Sequence, residues 1–201
     1  MAAFTRNGYG QVEPNQLSAQ KTGQIYASLP LDTAVSVLQN GEFMYYDYKT
    51  GTVTADATIG EPMLVFNEIK LYEPYWQTSY KDFAMIRVGD NYVTSRLATE
   101  AYGDGATNTG ATITGHTEYG YRMDGIAPRM FKTNIGDIYT TNMVKVGEEY
   151  AVGDLLTPEK DTNSNTLVLA PTADTTGMLW QVAKVYTMPD GQPGLKIQRV
   201  Q

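Results

Sequence analysis

Gly23-Gln-Ile-Tyr26 returns as Gly136-Asp-Ile-Tyr139, and this pair of stretches decides how the chain reads. Further echoes follow in the same order. Asn40-Gly41-Glu42-Phe43 is matched by Val146-Gly147-Glu148-Glu149, and Met63-Leu64 with Lys70-Leu71-Tyr72 by Met178-Leu179 with Lys184-Val185-Tyr186. Arg87-Val88 is matched by Arg199-Val200. Only the spacers change length, and spacer changes belong in loops, where each doubling costs only about 0.6 kcal/mol. The pattern predicts a diverged tandem pair of β modules.

Between the echoes the residues alternate between strand formers and turn signals. Val35-Ser-Val-Leu38 runs into Asn40-Gly41, Phe43-Met-Tyr-Tyr-Asp-Tyr48 into Lys49-Thr-Gly51, and Met188-Pro-Asp-Gly191 is a strong turn. Leu195-Lys-Ile-Gln-Arg-Val200 closes the chain as an alternating strand. No helix beyond about two turns is expected. The fold class is therefore all-β, with two related small barrel-like or sandwich modules. The expected layout is an extended N-terminal arm at 1–22, a first module at 23–97, a Gly/Thr-rich loop or linker at 98–129 and a second module at 130–201. Both arm and loop are poor in apolar period, so they are expected to be mobile or to contact partners. The inward set is expected to include Ile25, Val37, Leu64, Phe66, Leu71, Met85, Val88, Ile138, Leu155, Leu179, Val182, Val185, Leu195 and Ile197.

Charge narrows the partners. The 201 residues carry a net charge of −7 with no Lys/Arg cluster. Nucleic acid requires a basic face, and so does steering to an anionic membrane, so neither is expected as a partner. No apolar run approaches a membrane span, and the N-terminus lacks a basic-then-apolar leader, which points to synthesis in a cytoplasm. There is no Cys, which removes disulfides and thiolate metal sites.

Reactive constellations are sparse. His116 is the only histidine and sits in Thr114-Gly-His-Thr117, without a nucleophile elbow anywhere in the chain. Asp47, Glu61, Glu68, Glu73, Asp82 and Asp154 would offer carboxylate pairs for glycoside hydrolysis, but solvated carboxylates are the norm on an acidic protein. Asp161-Thr-Asn-Ser-Asn165 begins like a calcium loop and lacks its glycine and closing glutamate. Gly103-Asp-Gly105 reads as a turn, since no phosphate-loop lysine follows. The chain is thus expected to be no enzyme, with no catalytic residue, metal or cofactor. The densest aromatic stretch, Tyr72, Tyr75, Trp76 and Tyr80, is the candidate partner contact; its alternatives are a hairpin packing its own tip and a sugar platform.

Gly23 to Phe43, Met63-Leu-Val-Phe-Asn-Glu-Ile-Lys-Leu-Tyr72, Tyr80-Lys-Asp-Phe83 and Phe131 to Asn142 together resemble small structural proteins of tailed phages of Gram-positive bacteria. The likeness is one of sequence texture over residues 20–200, and no functional residue carries over. It implies a virion protein of the head decoration, or capsid cement, type. Such a protein binds the major capsid protein on the outside of the assembled head and stabilises it; the resemblance leaves monomer or homo-oligomer open. A carbohydrate-binding or fibre module using Tyr72 to Tyr80 is the alternative, and a hydrolase using paired acids a more distant one.

Overall fold

The computed structural model describes residues 3–6, 10–35, 37–56, 60–67, 85–87, 127–188 and 191–201. The strands are β1 (Val12–Gln16), β2 (Ile25–Tyr26), β3 (Val37–Gln39), β4 (Phe43–Asp47), β5 (Thr52–Thr54), β6 (Met63–Val65) and β7 (Met85–Arg87) in the first part of the chain. They continue with β8 (Met130–Phe131), β9 (Ile138–Thr141), β10 (Leu155–Asp161), β11 (Thr166–Pro171), β12 (Trp180–Thr187) and β13 (Pro193–Arg199). The single helix among the described residues, α1 (Ser18–Thr22), has five residues. The protein is nearly all-β, built on one curled antiparallel half-barrel sheet.

Strand order in that sheet is β1-β9-β13-β12-β10-β11-β4-β6-β8-β2, with β5 on the side of β4; β3 pairs β7 separately. The order reads alike in two runs. In the run β2, β4, β5, β6, β8 the first strand neighbours the last, the last the fourth, the fourth the second, and the third pairs the second. In the run β9, β10, β11, β12, β13 the same adjacencies hold. Gly-x-Ile-Tyr thus opens the corresponding strands β2 and β9. An internal duplication is not thereby shown, and some echoes part company. Arg87 lies on β7 against Val37, whereas Arg199 ends β13 against Trp180.

Both runs share one core. Phe43, Leu64 and Phe131 from the first meet Tyr139, Leu156, Trp180, Leu195 and Ile197 from the second. Trp180 is its centre, edge-on to Tyr139 at 5.0 Å and 5.8 Å from Phe43 between ring centroids. Burying each such side chain stabilises the fold by roughly 1.5–3 kcal/mol. A second cluster, with Leu31, Val35, Leu38, Met44, Val53 and Val65, covers the other face of β4 and β6. Alternation along β4 sends Phe43 and Tyr45 to the first cluster and Met44 and Tyr46 to the second.

The sheet is thin in two places. On one side β11 meets β4 through one residue pair, Leu167 with Phe43. On the other, its two end strands, β1 and β2, are consecutive in the chain, and residues 17–24 run between them. Leu17 and Ala19 are buried there. Asp137 fixes α1 to the turn before β9: its Oδ1 accepts from the Ser18 amide at 2.9 Å and its Oδ2 from the Ser18 hydroxyl at 3.0 Å. On the β8 side the Lys132 amide donates to the Gln24 carbonyl. Arg199, also buried, donates through Nη1 to the Thr133 carbonyl and hydroxyl, and through Nη2 to Glu61 at 2.8 Å. Buried charge gathers where the backbone ladder runs out, because those polar groups need side-chain partners instead.

The expected arm is packed in its described part. β1 pairs β9, the Phe4 amide and carbonyl bond Glu148 and Gly147, and the Gln11 amide donates to Asn142 at 2.7 Å. Polar partners on β9 fix this segment, which is why it shows no apolar period. Of the expected inward set, Leu64, Phe66, Leu179, Val182, Leu195 and Ile197 are buried. Ile25, Val37, Ile138 and Leu155 are half-buried, since the inward positions on the last three strands are the next residues, Leu38, Tyr139 and Leu156. Val185 is 46% exposed, beyond a bulge between Val182 and Lys184 that adds a residue to β12. Leu71, Val88 and the side chain of Met85 lie outside the described residues.

Candidate functional site: a tyrosine ladder

Tyr26, Tyr46 and Tyr48 stack in sequence, the first two half-buried against the second cluster and Tyr48 exposed. Ring centroids are 5.3 Å apart for Tyr26–Tyr46, tilted at 54°, and 5.3 Å for Tyr46–Tyr48, edge-on at 72°. Such pairs contribute roughly 0.5–1.5 kcal/mol beyond burial. Tyr46 is held from its tip: the hydroxyl accepts from the Ser28 and Leu29 amides at 2.9 and 3.0 Å and bonds the Ser28 hydroxyl at 2.6 Å. That leaves its ring standing between its two neighbours.

Tyr48 opens the β4–β5 turn. Asp47 Oδ1 accepts from the Lys49 amide at 2.8 Å, its carbonyl accepts from the Gly51 amide at 2.9 Å, and Gly51 supplies the φ of 72° that closes the loop. A turn bonded at both ends presents Tyr48 with 71% of its surface exposed, the most exposed large hydrophobic side chain among the described residues. An aromatic patch on a rigid hairpin is suited to protein contact, because it offers large area with few torsions left to freeze.

The aromatic contact expected from sequence, Tyr72, Tyr75, Trp76 and Tyr80, lies outside the described residues, as do His116, Gly103-Asp-Gly105, Glu68, Glu73 and Asp82. Of the acids singled out in the sequence, Asp47, Glu61, Asp154 and Asp161 are engaged in structural bonds. Asp154 accepts from the Ala151 amide at 2.7 Å, Asp161 from the Asn163 amide at 2.9 Å, and Glu61 from Arg199. Asp161 to Asn165 forms the β10–β11 turn, with Asn165 at φ 56° and its amide on the Asp161 carbonyl. Among the described residues no group of three or more His, Asp or Glu is placed to hold a metal ion, and no helix is long and apolar enough to cross a membrane.

Burial displaces three ionisable groups among the described residues, raising Glu42, Tyr139 and Tyr150. Glu42 is 2% exposed, and its carboxyl is pushed up to about 8 by desolvation against the opposing Gln39 amide, which donates to it at 2.7 Å. Burial also raises the Tyr139 hydroxyl, which has no hydrogen-bond partner among the described residues, like the Trp180 Nε1 beside it. No protein family, curated protein or solved structure matches the chain.

Proposed function

We propose that this protein is a non-enzymatic structural component of a tailed-phage virion that binds the outer surface of the assembled head and reinforces it. Its partner is the major capsid protein, and its place is the capsid surface after synthesis in the host cytoplasm. The observation that carries the reading is the tyrosine ladder: Tyr48 gives the fold little by way of burial, yet a bonded turn holds it out to solvent. The engagement of Asp47, Glu61, Asp154 and Asp161 in structural bonds, together with the sequence resemblance to phage structural proteins, supports a role in contact rather than chemistry. Linking several weak contacts across subunit boundaries gives avidity without any new contact type.

The test titrates purified heads that lack this protein. Wild type should bind assembled heads and leave free capsid subunits alone, and Tyr48→Ala should weaken binding by about tenfold with an unchanged thermal transition. Equal binding by the variant would remove the ladder from the interface. A second reading, a carbohydrate-binding virion module, is favoured by the exposed face of Tyr48, since a pyranose stacks on a free ring. Glycan-array signal lost in Tyr48→Ala would support it against the cement role.

The matching strand order of the two runs supports an internal duplication as well. A single rotation should then carry β2, β4, β6 and β8 onto β9, β10, β12 and β13. If each pair needs its own rotation, the halves are unrelated.

A further inference from the structure

β12 has an open edge along its second half. It pairs β10 only at Trp180 and Gln181, after which the Val182 amide and carbonyl bond Asp154 and Gly153. There the neighbouring chain turns away, because the Asp154 side chain accepts from the Ala151 amide at 2.7 Å and folds residues 151–154 into a turn. From Lys184 to Thr187, β12 is paired among the described residues with β13 alone.

The register fixes which groups face the open side. Bonded and non-bonded pairs alternate along an antiparallel ladder. Met188 donates to the Gln192 carbonyl, and the next pair, Thr187 with Pro193, cannot exchange two bonds because Pro193 has no N–H. Tyr186 with Gly194 and Lys184 with Lys196 are then the bonded pairs, so the N–H and C=O of Val185 and Thr187 point away from β13. An edge that offers a donor and an acceptor at every second residue is a template for another strand.

The two faces of this edge differ. Val185 stands opposite Leu195, on the face that carries Val182 and Ile197 into the core, yet it is 46% exposed. Val152, 66% exposed, lies in the turn at the start of the open edge. The other face is basic. Lys184 stands directly across from Lys196, and its Nζ is 5.7 Å from the centre of the Tyr186 ring. Ion pairs among the described residues use Lys145, Lys160 and Arg199 instead, which leaves both of these lysines without an acidic partner there. Like charges directly opposite each other destabilise a ladder, and this pair stands on a chain whose net charge is −7.

We propose that residues 183–187 of β12 accept an extended acidic segment of a protein partner as an added strand. The segment's backbone exchanges bonds with Val185 and Thr187, an apolar side chain covers Val185 beside Val152, and acidic side chains at the alternate positions meet Lys184 and Lys196. A second copy of this chain docked edge to edge would instead bring another Lys184 to the same face, so the lysines select against self-pairing. The site belongs to the second run of the sheet and is independent of the tyrosine ladder on the first.

The experiment titrates the full chain with a capped peptide of about seven residues alternating Val and Glu, and with its Val and Lys counterpart, and reads backbone amide exchange by NMR. The Val/Glu peptide should slow exchange at Val185 and Thr187 by about tenfold or more, with Lys184 and Tyr186, already bonded to β13, unchanged. The Val/Lys peptide should bind more weakly by about tenfold or more, and Lys184→Glu should reverse that order. Equal binding of the two peptides would overturn the acidic partner. Slowing spread evenly over these amides, or none at all, would overturn the added strand. Slowing at Val185 and Thr187 that grows with protein concentration in the absence of peptide would give the edge to a second copy and overturn the proposal as well. Should the variant fail to fold, the comparison of the two peptides on wild type decides by itself.

Discussion

Replacing Arg199 by alanine tests what closes the sheet between its two end strands. Besides donating through Nε to the Gln201 carbonyl at 3.0 Å, the guanidinium does two separable things there. Its ion pair reaches Glu61, whose side chain is 58% exposed, so solvent screens it and the pair contributes at most about 1 kcal/mol. Its bonds to Thr133 are different, because Thr133 is 2% exposed and its carbonyl would be left without this donor. An unsatisfied buried acceptor costs about 1–3 kcal/mol, and the lost packing of the arginine stem adds to it. Arg199→Ala should therefore cost about 3–4 kcal/mol, Glu61→Gln less than about 1, and Arg199→Lys an intermediate amount, since an ammonium lacks the planar fork. Urea denaturation followed by tryptophan fluorescence measures all three, provided the slope with denaturant is unchanged. If Glu61→Gln costs as much as Arg199→Ala, the corner is held by the ion pair and the reasoning fails.

Other substitutions probe the interior. Glu42 is raised from 4.5 to about 8 in the fold, so the folded state holds an extra proton between those values and wild-type stability should fall as pH rises from about 4.5 to about 8. The whole loss is of order 5 kcal/mol at about 1.4 kcal/mol per tenfold, and Glu42→Gln should flatten that part of the urea-midpoint profile; a wild-type profile already flat there would contradict it. Tyr139→Phe removes a buried hydroxyl that has no partner among the described residues, so calorimetry should find the variant as stable as wild type or more so, whereas a loss above about 1 kcal/mol would show that the hydroxyl is bonded. Gly41→Ala should cost more than about 2 kcal/mol in the same measurement, from the positive φ and the contact with Met143 together; a neutral result would mean the junction has slack.

Fold class was legible because strand formers alternate with turn signals. The Lys49 to Gly51 turn and the hairpin around Met188 to Gly191 stand where the sequence put them. Asn40-Gly41 shows the limit of that reading. It is a turn, but β3 and β4 do not pair; instead the Asn40 amide bonds the backbone of Asn67, two residues beyond β6. Facing was lost wherever apolar residues adjoin. In Leu155-Leu156 alternation gives no phase, and in Ile138-Tyr139 the larger ring takes the core against Trp180. The packed N-terminal segment was hidden because its anchors are polar and more than a hundred residues away, as with Gln11 on Asn142. A signal for the tyrosine ladder did exist: Tyr46 and Tyr48 are two apart in a strand-forming run, the spacing that puts side chains on one face. Its third member, Tyr26, joins only through the fold.

The central claim is tested most directly by the heat resistance of assembled heads with and without this protein, read alongside its position by cryo-electron microscopy. Binding only the assembled state should stabilise it by mass action, by about 2.7 kcal/mol at a hundredfold excess over the dissociation constant. Density should lie on the outer head surface, contacting the major capsid protein, and disruption should come at a higher temperature when sites are filled. Density at the tail or inside the head, or unchanged disruption at full occupancy, would contradict it.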